Sequence, residues 1–207
     1  MGIIKRFFNQ TRKPEGFLGS LMLYGMNSGH AVLADWAMSY LPQTVPQKAV
    51  DLGCGGGRNV AALLKRYPQA VVDGVDYSPL SAEKAVIYNA ASIACGKCTI
   101  SVGDVSDLKL VDNSYDLATA FETIYFWPGL EKCFANVHDI LKENAWFLIA
   151  CESDGMDGMG DRFENIIDGM KVYKVNEIED ALKAAGFKDI KTIHHNSHPW
   201  IAVLAKK

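Results

Sequence analysis

The chain has 207 residues and a formal net charge of −3, and 49% of its residues are hydrophobic and 22% charged. This composition is typical of a globular domain, and no apolar run approaches the roughly 18 residues that a membrane span needs. The sequence pI of about 5.9 lacks the basic character that accompanies most nucleic-acid binding. We therefore expect a protein with no nucleic-acid partner and no membrane partner.

Chain length favours one domain over two, because a typical domain has roughly 100–200 residues. No internal repeat or low-complexity linker interrupts the sequence. We predict a single domain over residues 1–207, with an N-terminal arm and cap helix over 1–45 and the core over 46–207.

From residue 48 onward, apolar runs rich in β-branched residues alternate with segments of helical periodicity. In chain order the predicted elements are a strand at 48–53, a helix at 58–67, a strand at 70–76, a helix at 78–94, strands at 98–104 and 115–121, a helix at 130–143 and a strand at 145–152. Ser78 is placed to cap the second helix, with Pro79 in its first turn. This alternation predicts an α/β fold, a doubly wound and mostly parallel sheet with helices on both faces.

The C-terminal part differs from this alternation. A helix at 176–186 ends at Gly186, which suits the position just after a helix, and two strands at 187–195 and 200–207 flank the short polar turn "NSHP". So short a connection predicts an antiparallel hairpin.

The stretch "VDLGCGGGRN", residues 50–59, places four glycines in five positions between the first strand and the first helix. Such a loop lets a ligand approach the main chain, at the sheet edge where open α/β folds bind cofactors. A dinucleotide fingerprint needs glycine at the sixth position, which here is Arg58. Asp76, at the end of the second strand, can accept hydrogen bonds from both ribose hydroxyls of any adenosine-containing cofactor.

Together with "GDVSDLKLVDNSYDLATAFE" and the strand "WFLIACE", these motifs resemble those of the class I S-adenosylmethionine-dependent methyltransferases. The resemblance extends from about residue 30 to the C-terminus. It implies a seven-stranded sheet of order 3-2-1-4-5-7-6 with strand 7 antiparallel, and S-adenosyl-L-methionine as the cofactor, with S-adenosyl-L-homocysteine as its product. The family's usual Pro-Gly-Gly is replaced by "KENAW", where Asn144 can take the left-handed conformation.

The resemblance also implies cofactor contacts. Asp51 would help to order the methionine end, and Gly53, Gly55 and Gly57 would let the cofactor pass close to the backbone. The remaining implied cofactor residues are Asp76 on the ribose, Tyr77 and Ser78 beside the adenine, Gly103, Asp104 and Val105 on the adenine ring, and Phe121 beside the methionine group.

For the methyl acceptor we expect residues after the fourth and fifth strands and in the N-terminal cap. Glu122 and Tyr125 are the candidate catalytic residues, and the candidate substrate contacts are Tyr24, Asn27, His30, Trp127 and His198. Each has an alternative role: Glu122 could order a loop or bind the cofactor's ammonium group, His30 could cap the helix that starts near it, and Trp127 could pack under the following helix. The glycine-rich stretch 154–163 is either a mobile lid or a loop without function.

No metal site is expected from the sequence. "CGKC" at 95–98 has no second cysteine pair, and His194 and His195 are adjacent in a strand, so their side chains point to opposite faces. The odd number of cysteines, with no secretory signal peptide, favours a reducing, cytoplasmic compartment.

These features favour an S-adenosylmethionine-dependent methyltransferase acting on a small molecule. Two alternatives stay open at this stage: a regulatory protein that binds the cofactor without transferring its methyl group, and an NAD-dependent oxidoreductase. The sequence does not specify the acceptor atom or the oligomeric state.

Overall fold

The computed structural model describes residues 30–158 and 164–207. The predicted substrate contacts Tyr24 and Asn27 lie outside these residues, as does the second half of the proposed lid.

The predicted alternation of strands and helices is confirmed. The helices are α1 (Ala31–Met38), α2 (Arg58–Arg66), α3 (Pro79–Tyr88), α4 (Ala90–Ala94), α5 (Leu130–Ile140) and α6 (Val175–Ala184). The strands are β1 (Lys48–Leu52), β2 (Val71–Asp76), β3 (Cys98–Val102), β4 (Tyr115–Phe121), β5 (Leu141–Cys151), β6 (Lys188–His194) and β7 (Ile201–Lys206). Short 3₁₀ turns follow β3 and β4, at Val105–Asp107 and Ile124–Phe126.

The strands form one sheet of order β3-β2-β1-β4-β5-β7-β6, as the resemblance implied. Neighbours from β3 to β5 are parallel, whereas β7 runs antiparallel to both β5 and β6. The carboxyl ends of β1, β2 and β4 therefore meet at one sheet edge, at the point where the chain order reverses and such sheets bind ligands.

Two apolar clusters cover the two faces of the sheet. One contains Phe134 and Phe147 with residues of α5 and α6, and the other contains Leu33 and Leu63 with residues of α1 and α2. Because both faces are covered, the central strands are almost continuously buried. None of the helices in the described parts of the chain is long and apolar enough to cross a membrane.

Two predicted boundaries were wrong. The helix predicted over 78–94 is two helices, because the buried Asn89 interrupts it and its side-chain amide donates to the carbonyl oxygens of Gly57 and Ala85. The fifth strand begins at Leu141, directly after α5, rather than at 145. Ser78 does cap α3, and Asn144 does adopt a left-handed φ of 66°.

Candidate functional site

The glycine loop is fixed to the neighbouring strand by its own backbone. The N–H groups of Gly53 and Cys54 both donate to the carbonyl oxygen of Val75 in β2, at 2.7 and 3.0 Å. Gly57 then starts α2 with a φ of 84°, a conformation that side chains with a Cβ rarely adopt. The loop thus turns sharply at the carboxyl edge of the sheet.

Three glycines in this loop have positive φ values, but they serve different purposes. A Cβ atom on Gly53 would lie 2.0 Å from Thr123 Oγ1, and one on Gly57 would lie 2.8 Å from Ala85 Cα. A Cβ atom on Gly55 would meet nothing within 4 Å. Gly53 and Gly57 are therefore required by packing, whereas Gly55 leaves open space that a ligand could fill.

Asp76 closes this turn from the end of β2. Its Oδ2 accepts the N–H of Gly55 and its Oδ1 accepts the N–H of Ser78, each at 2.8 Å. Burial raises the pKa of this carboxyl group, and the two backbone hydrogen bonds oppose the rise. The Ser81 side chain also hydrogen-bonds this carboxyl group, which takes up the third of its roughly four acceptor positions and leaves room for a ligand hydroxyl.

Asp51 is buried in β1, below the loop, with 1% of its surface exposed. The Thr119 hydroxyl donates to its Oδ1 at 2.7 Å, but its Oδ2 has no hydrogen-bond partner among the described groups. Burial raises the pKa of Asp51 to about 7, and the nearby charge of Asp76 adds to the rise. A positively charged ligand above the loop would lower the cost of ionising this group.

A cleft of about 330 Å³ runs along the sheet edge above the loop. This volume lies at the lower end of the range for small-molecule sites, roughly 300–1,000 Å³. Its walls are formed by His30, Ala31, Gly53, Cys54, Gly55, Gly56, Arg58, Asn59, Asp76, Tyr77, Ser81, Gly103, Asp104, Val105, Phe121, Glu122, Thr123, Phe126, Trp127 and Pro128.

At one end of the cleft, Glu122 follows directly after β4 with a φ of 57°, which is unusual for a residue other than glycine. Its Oε1 accepts the backbone N–H of Glu152 and the hydroxyl of Tyr125, the latter at 3.3 Å. Burial raises the pKa of Glu122 well above its ordinary value, and the nearby Glu152 carboxylate raises it further. A strained backbone at a cleft is often a functional feature.

Trp127 joins this end of the cleft to the core. Its ring stacks on Phe147 with centroids 6.4 Å apart, and its indole N–H donates to Thr123 Oγ1 at 3.2 Å. The side chain is 7% exposed. It therefore packs in the core while contributing an edge to the cleft, and a substrate contact through Trp127 stays a prediction.

Most of the predicted cofactor residues lie along one cleft. The predicted site residues that line it are His30, Gly53, Gly55, Asp76, Tyr77, Gly103, Asp104, Val105, Phe121, Glu122 and Trp127. The predicted residues that are described but not part of its walls are Asp51, Gly57, Ser78, Tyr125 and His198. Of these, Asp51, Gly57, Ser78 and Tyr125 contact or support wall residues, and their roles stay predictions.

His198 lies at the exposed tip of the β6–β7 hairpin. Its ring stacks on Trp200 at a centroid distance of 4.4 Å and lies 4.9 Å from the ring of His195. It does not face the cleft described here, so a substrate contact through His198 stays a prediction.

Sequence reasoning missed several wall residues. Arg58, noted only as a departure from the dinucleotide pattern, lines the cleft and forms an ion pair with Asp35 at 2.6 Å. The Thr123 side chain packs against Gly53, and its hydroxyl oxygen accepts a hydrogen bond from the indole N–H of Trp127. Its position directly after Glu122 is the signal that could have identified it. Asn59 and Ser81 are in the first turns of helices that start at this edge.

Comparisons with known proteins agree with this geometry. A family model described as a methyltransferase domain matches residues 49–144. Sterol methyltransferase-like 2 of Botryococcus braunii is 28% identical over 172 residues, which cover 76% of this chain and 43% of that protein. The chain thus spans less than half the length of this relative.

Solved structures share the fold over nearly the whole chain. The structure of the Haloferax volcanii Trm112 methyltransferase activator with a putative methyltransferase contains a chain that matches with a TM-score of 0.79 and 17% identity, covering 100% of this chain and 98% of that one. Human N-acetylserotonin methyltransferase in complex with S-adenosylmethionine matches with a TM-score of 0.73 and 16% identity, covering 90% of this chain and 55% of that one. At these identities the likeness concerns the fold.

Proposed function

We propose that this protein, which belongs to the class I S-adenosylmethionine-dependent methyltransferases, transfers the methyl group of S-adenosylmethionine to a small-molecule acceptor. The observation that carries the proposal is the open space over Gly55 beside the Asp76 carboxylate, at the carboxyl edge of β1 and β2. This is the place where a nucleoside can lie close to the backbone and donate its ribose hydroxyls to a charged acceptor.

In this proposal the cofactor lies along the cleft. Asp76 holds the ribose, Gly103, Asp104 and Val105 border the adenine, and Phe121 borders the methionine group. Val105 is held in place because the Asp104 carboxylate accepts the N–H of Ser106 at 2.8 Å and starts a 3₁₀ turn. The chemistry that the cofactor supplies when bound is an electrophilic methyl group on a positively charged sulfur.

The chain's own residues have to position the acceptor and keep water out. Phe126 and Trp127 form apolar wall at the end of the cleft where Glu122 lies. A carboxylate beside aromatic rings suits an amine or a polar aromatic acceptor, through a charge-assisted hydrogen bond and cation–π attraction. Tyr125 does not reach the cleft, so we propose that it positions Glu122 through its hydroxyl.

The charge of the cleft favours this cofactor over NAD. Asp51, Asp76 and Glu122 lie in or just below the cleft, and burial raises the pKa of each, so their ionised forms need a compensating positive charge. The positively charged sulfur of S-adenosylmethionine can supply such a charge, whereas the negatively charged pyrophosphate of NAD would oppose ionisation of these groups. The guanidinium of Arg58 lines the same cleft but is already paired with Asp35.

The proposal also covers the class of acceptor, the cellular compartment and the extent of the domain. The net charge of −3 and the narrow cleft support a small molecule rather than nucleic acid. All five cysteines are free, and four of them are buried, which supports a reducing compartment such as the cytoplasm. We also propose that the whole chain forms one methyltransferase domain.

Binding and turnover test the proposal separately. S-adenosylhomocysteine should raise the melting temperature of the wild-type protein, and NAD should not. The Gly55→Val variant should lose this response because its side chain enters the open space; Gly96→Val, at a glycine with a similar positive φ far from the cleft, should keep it. Stabilisation by NAD alone would contradict the proposal.

Turnover distinguishes an enzyme from a regulatory binding protein. Wild-type protein incubated with S-adenosylmethionine and a pool of small amines and phenols should form S-adenosylhomocysteine together with one methylated product. Tight cofactor binding without product, across a broad metabolite pool, would instead support the regulatory alternative.

A further inference from the structure

Three side chains that are distant in sequence meet beside the proposed methyl-transfer position. They are His30 at the start of α1, Glu122 after β4 and Glu152 after β5. Each offers one nitrogen or oxygen atom, and these three atoms all lie within 4.8 Å of one another. His30 and Glu122 also form part of the cleft wall.

The charges in this group call for a cation. Two carboxyl groups this close cannot both ionise without a compensating charge, which is a shared proton, a protonated His30 or a bound cation. No ion pair between described residues, over 30–158 and 164–207, involves Glu122 or Glu152. The third side chain is a histidine, which is a common metal ligand.

The position of the histidine suits such a role. The neutral imidazole, which has a free lone pair, is the form that binds metals. His30 occupies the N-cap position of α1 without making a side-chain capping hydrogen bond, so its ring nitrogens are not used to cap the helix.

We propose that His30, Glu122 and Glu152 bind one divalent first-row transition-metal cation at the acceptor end of the cleft. One imidazole and two carboxylates suit Zn²⁺, Mn²⁺ or Fe²⁺, whereas Mg²⁺ prefers oxygen ligands alone. Ligand distances of about 2.0–2.2 Å would draw the three atoms to within roughly 3–3.5 Å of one another.

The site has a use if the proposed function is correct. A cation with three protein ligands keeps a coordination position open for an acceptor oxygen or nitrogen, and it lowers the pKa of a group bound there. The acceptor would then be a hydroxyl- or amine-bearing molecule held by the metal against the aromatic wall of Phe126 and Trp127. This role depends on methyl transfer, whereas the metal site itself does not.

The sequence predicts no metal because its recognisable ligand patterns join residues that are close in sequence. The "CGKC" pair and the adjacent His194 and His195 are close in sequence, whereas the three residues proposed here come from three elements. Their meeting depends on β4 and β5 lying side by side, which pairs Phe121 with Ala150 and so places Glu122 near Glu152.

Metal binding can be measured without cofactor or acceptor. Wild-type protein freed of metal by a chelator should bind about one equivalent of Zn²⁺ in a calorimetric titration, and Mg²⁺ much more weakly. His30→Asn and Glu152→Gln should each weaken Zn²⁺ binding at least about tenfold, while His194→Asn, which alters an exposed histidine on β6, should leave it unchanged. The proposal would be overturned if the wild-type protein showed no saturable Zn²⁺ binding, or if neither His30→Asn nor Glu152→Gln weakened that binding.

A second measurement applies even if a variant folds poorly. X-ray absorption on the zinc-loaded wild-type protein should show nitrogen and oxygen ligands near about 2.0–2.2 Å. A sulfur shell at about 2.3 Å would assign the metal to cysteine instead, for example the exposed Cys95, and would overturn the site. Neither measurement involves turnover, so the metal site would stand even if the protein transferred no methyl group. Undiminished methyl transfer by the metal-free protein would contradict only the catalytic role of the metal.

Discussion

The two ends of the cleft are built differently. Most of the proposed cofactor end comes from one stretch of chain, in which β1, the glycine loop, α2 and β2 follow each other between residues 48 and 76, and the rest comes from the ends of β3 and β4. The acceptor end is assembled from α1 and from the segments after β4 and β5, which are far apart in sequence. Local backbone geometry therefore shapes most of the cofactor end, whereas the pairing of strands in the sheet brings the residues of the acceptor end together.

This difference has a consequence for substitutions. At the cofactor end, glycine conformations and backbone hydrogen bonds set the shape, so a single added methyl group is expected to disturb folding or binding. At the acceptor end, side-chain chemistry carries the proposed function on a scaffold that conservative changes leave intact. The predictions below test whether the two ends respond in these separate ways.

Gly57→Ala should have the largest effect, on stability. The added Cβ atom combines a left-handed φ, which costs roughly 1–2 kcal/mol, with a clash against Ala85 in α3, which costs roughly 1–3 kcal/mol. Gly96→Ala is the matched control, since its φ is also positive but nothing lies within 4 Å of the added atom. Denaturant unfolding should show a loss about twice as large for Gly57→Ala; equal losses would mean that packing at the loop is unimportant.

Asp51 should make stability depend on pH. Its folded-state pKa of about 7 lies above the ordinary value of 3.8, so between these values the folded protein holds a proton that the unfolded chain has lost. The free energy of unfolding should therefore fall as pH rises through this window, by up to about 1.4 kcal/mol per pH unit. Above pH 7 this loss is complete.

Asp51→Asn isolates this contribution. Asp76 and Glu122, whose pKa values burial also raises, change the pH dependence of stability in the variant and in the wild type alike, so their effect cancels in the difference. The difference in unfolding free energy between variant and wild type, without cofactor, should change by about 2–3 kcal/mol from pH 5 to pH 8. Parallel stability curves across this range would show that Asp51 is ionised at all these pH values.

Asp76→Ala should weaken S-adenosylhomocysteine binding between about ten- and a hundredfold, because hydrogen bonds to a charged group contribute roughly 1.5–3 kcal/mol each. Asp73→Ala is the control on the same strand, since its carboxylate accepts from the Tyr115 hydroxyl and pairs with Lys48 away from the cleft. Calorimetric titration measures both. An unchanged dissociation constant for Asp76→Ala would remove this residue from the ribose site.

Glu122→Gln and Tyr125→Phe should separate turnover from cofactor binding. S-adenosylhomocysteine affinity should stay within about threefold of wild type, while kcat/KM for the acceptor should fall about tenfold for Glu122→Gln and less for Tyr125→Phe. Tyr173→Phe, at a buried tyrosine beside α6, should change neither. Equal losses in binding and turnover would place Glu122 in the cofactor site.

The sequence by itself determined the order of the elements and the position of the glycine loop. The alternating periodicities, the Ser78 cap and the left-handed Asn144 are local properties, and all three appear in the structure. The glycine loop and Asp76 could also be predicted from the sequence, because a strand, a tight turn and the next strand keep their residues close in both sequence and space.

Tertiary structure alone decided which distant residues meet and how deeply they are buried. The break at Asn89 arises because its side chain bonds the carbonyl of Gly57 across the α2–α3 contact, which no helical pattern encodes. The raised pKa values of Asp51 and Glu122 come from burial by distant elements. The meeting of His30, Glu122 and Glu152 follows from which strands are neighbours in the sheet, and that depends on long-range packing rather than on residue spacing.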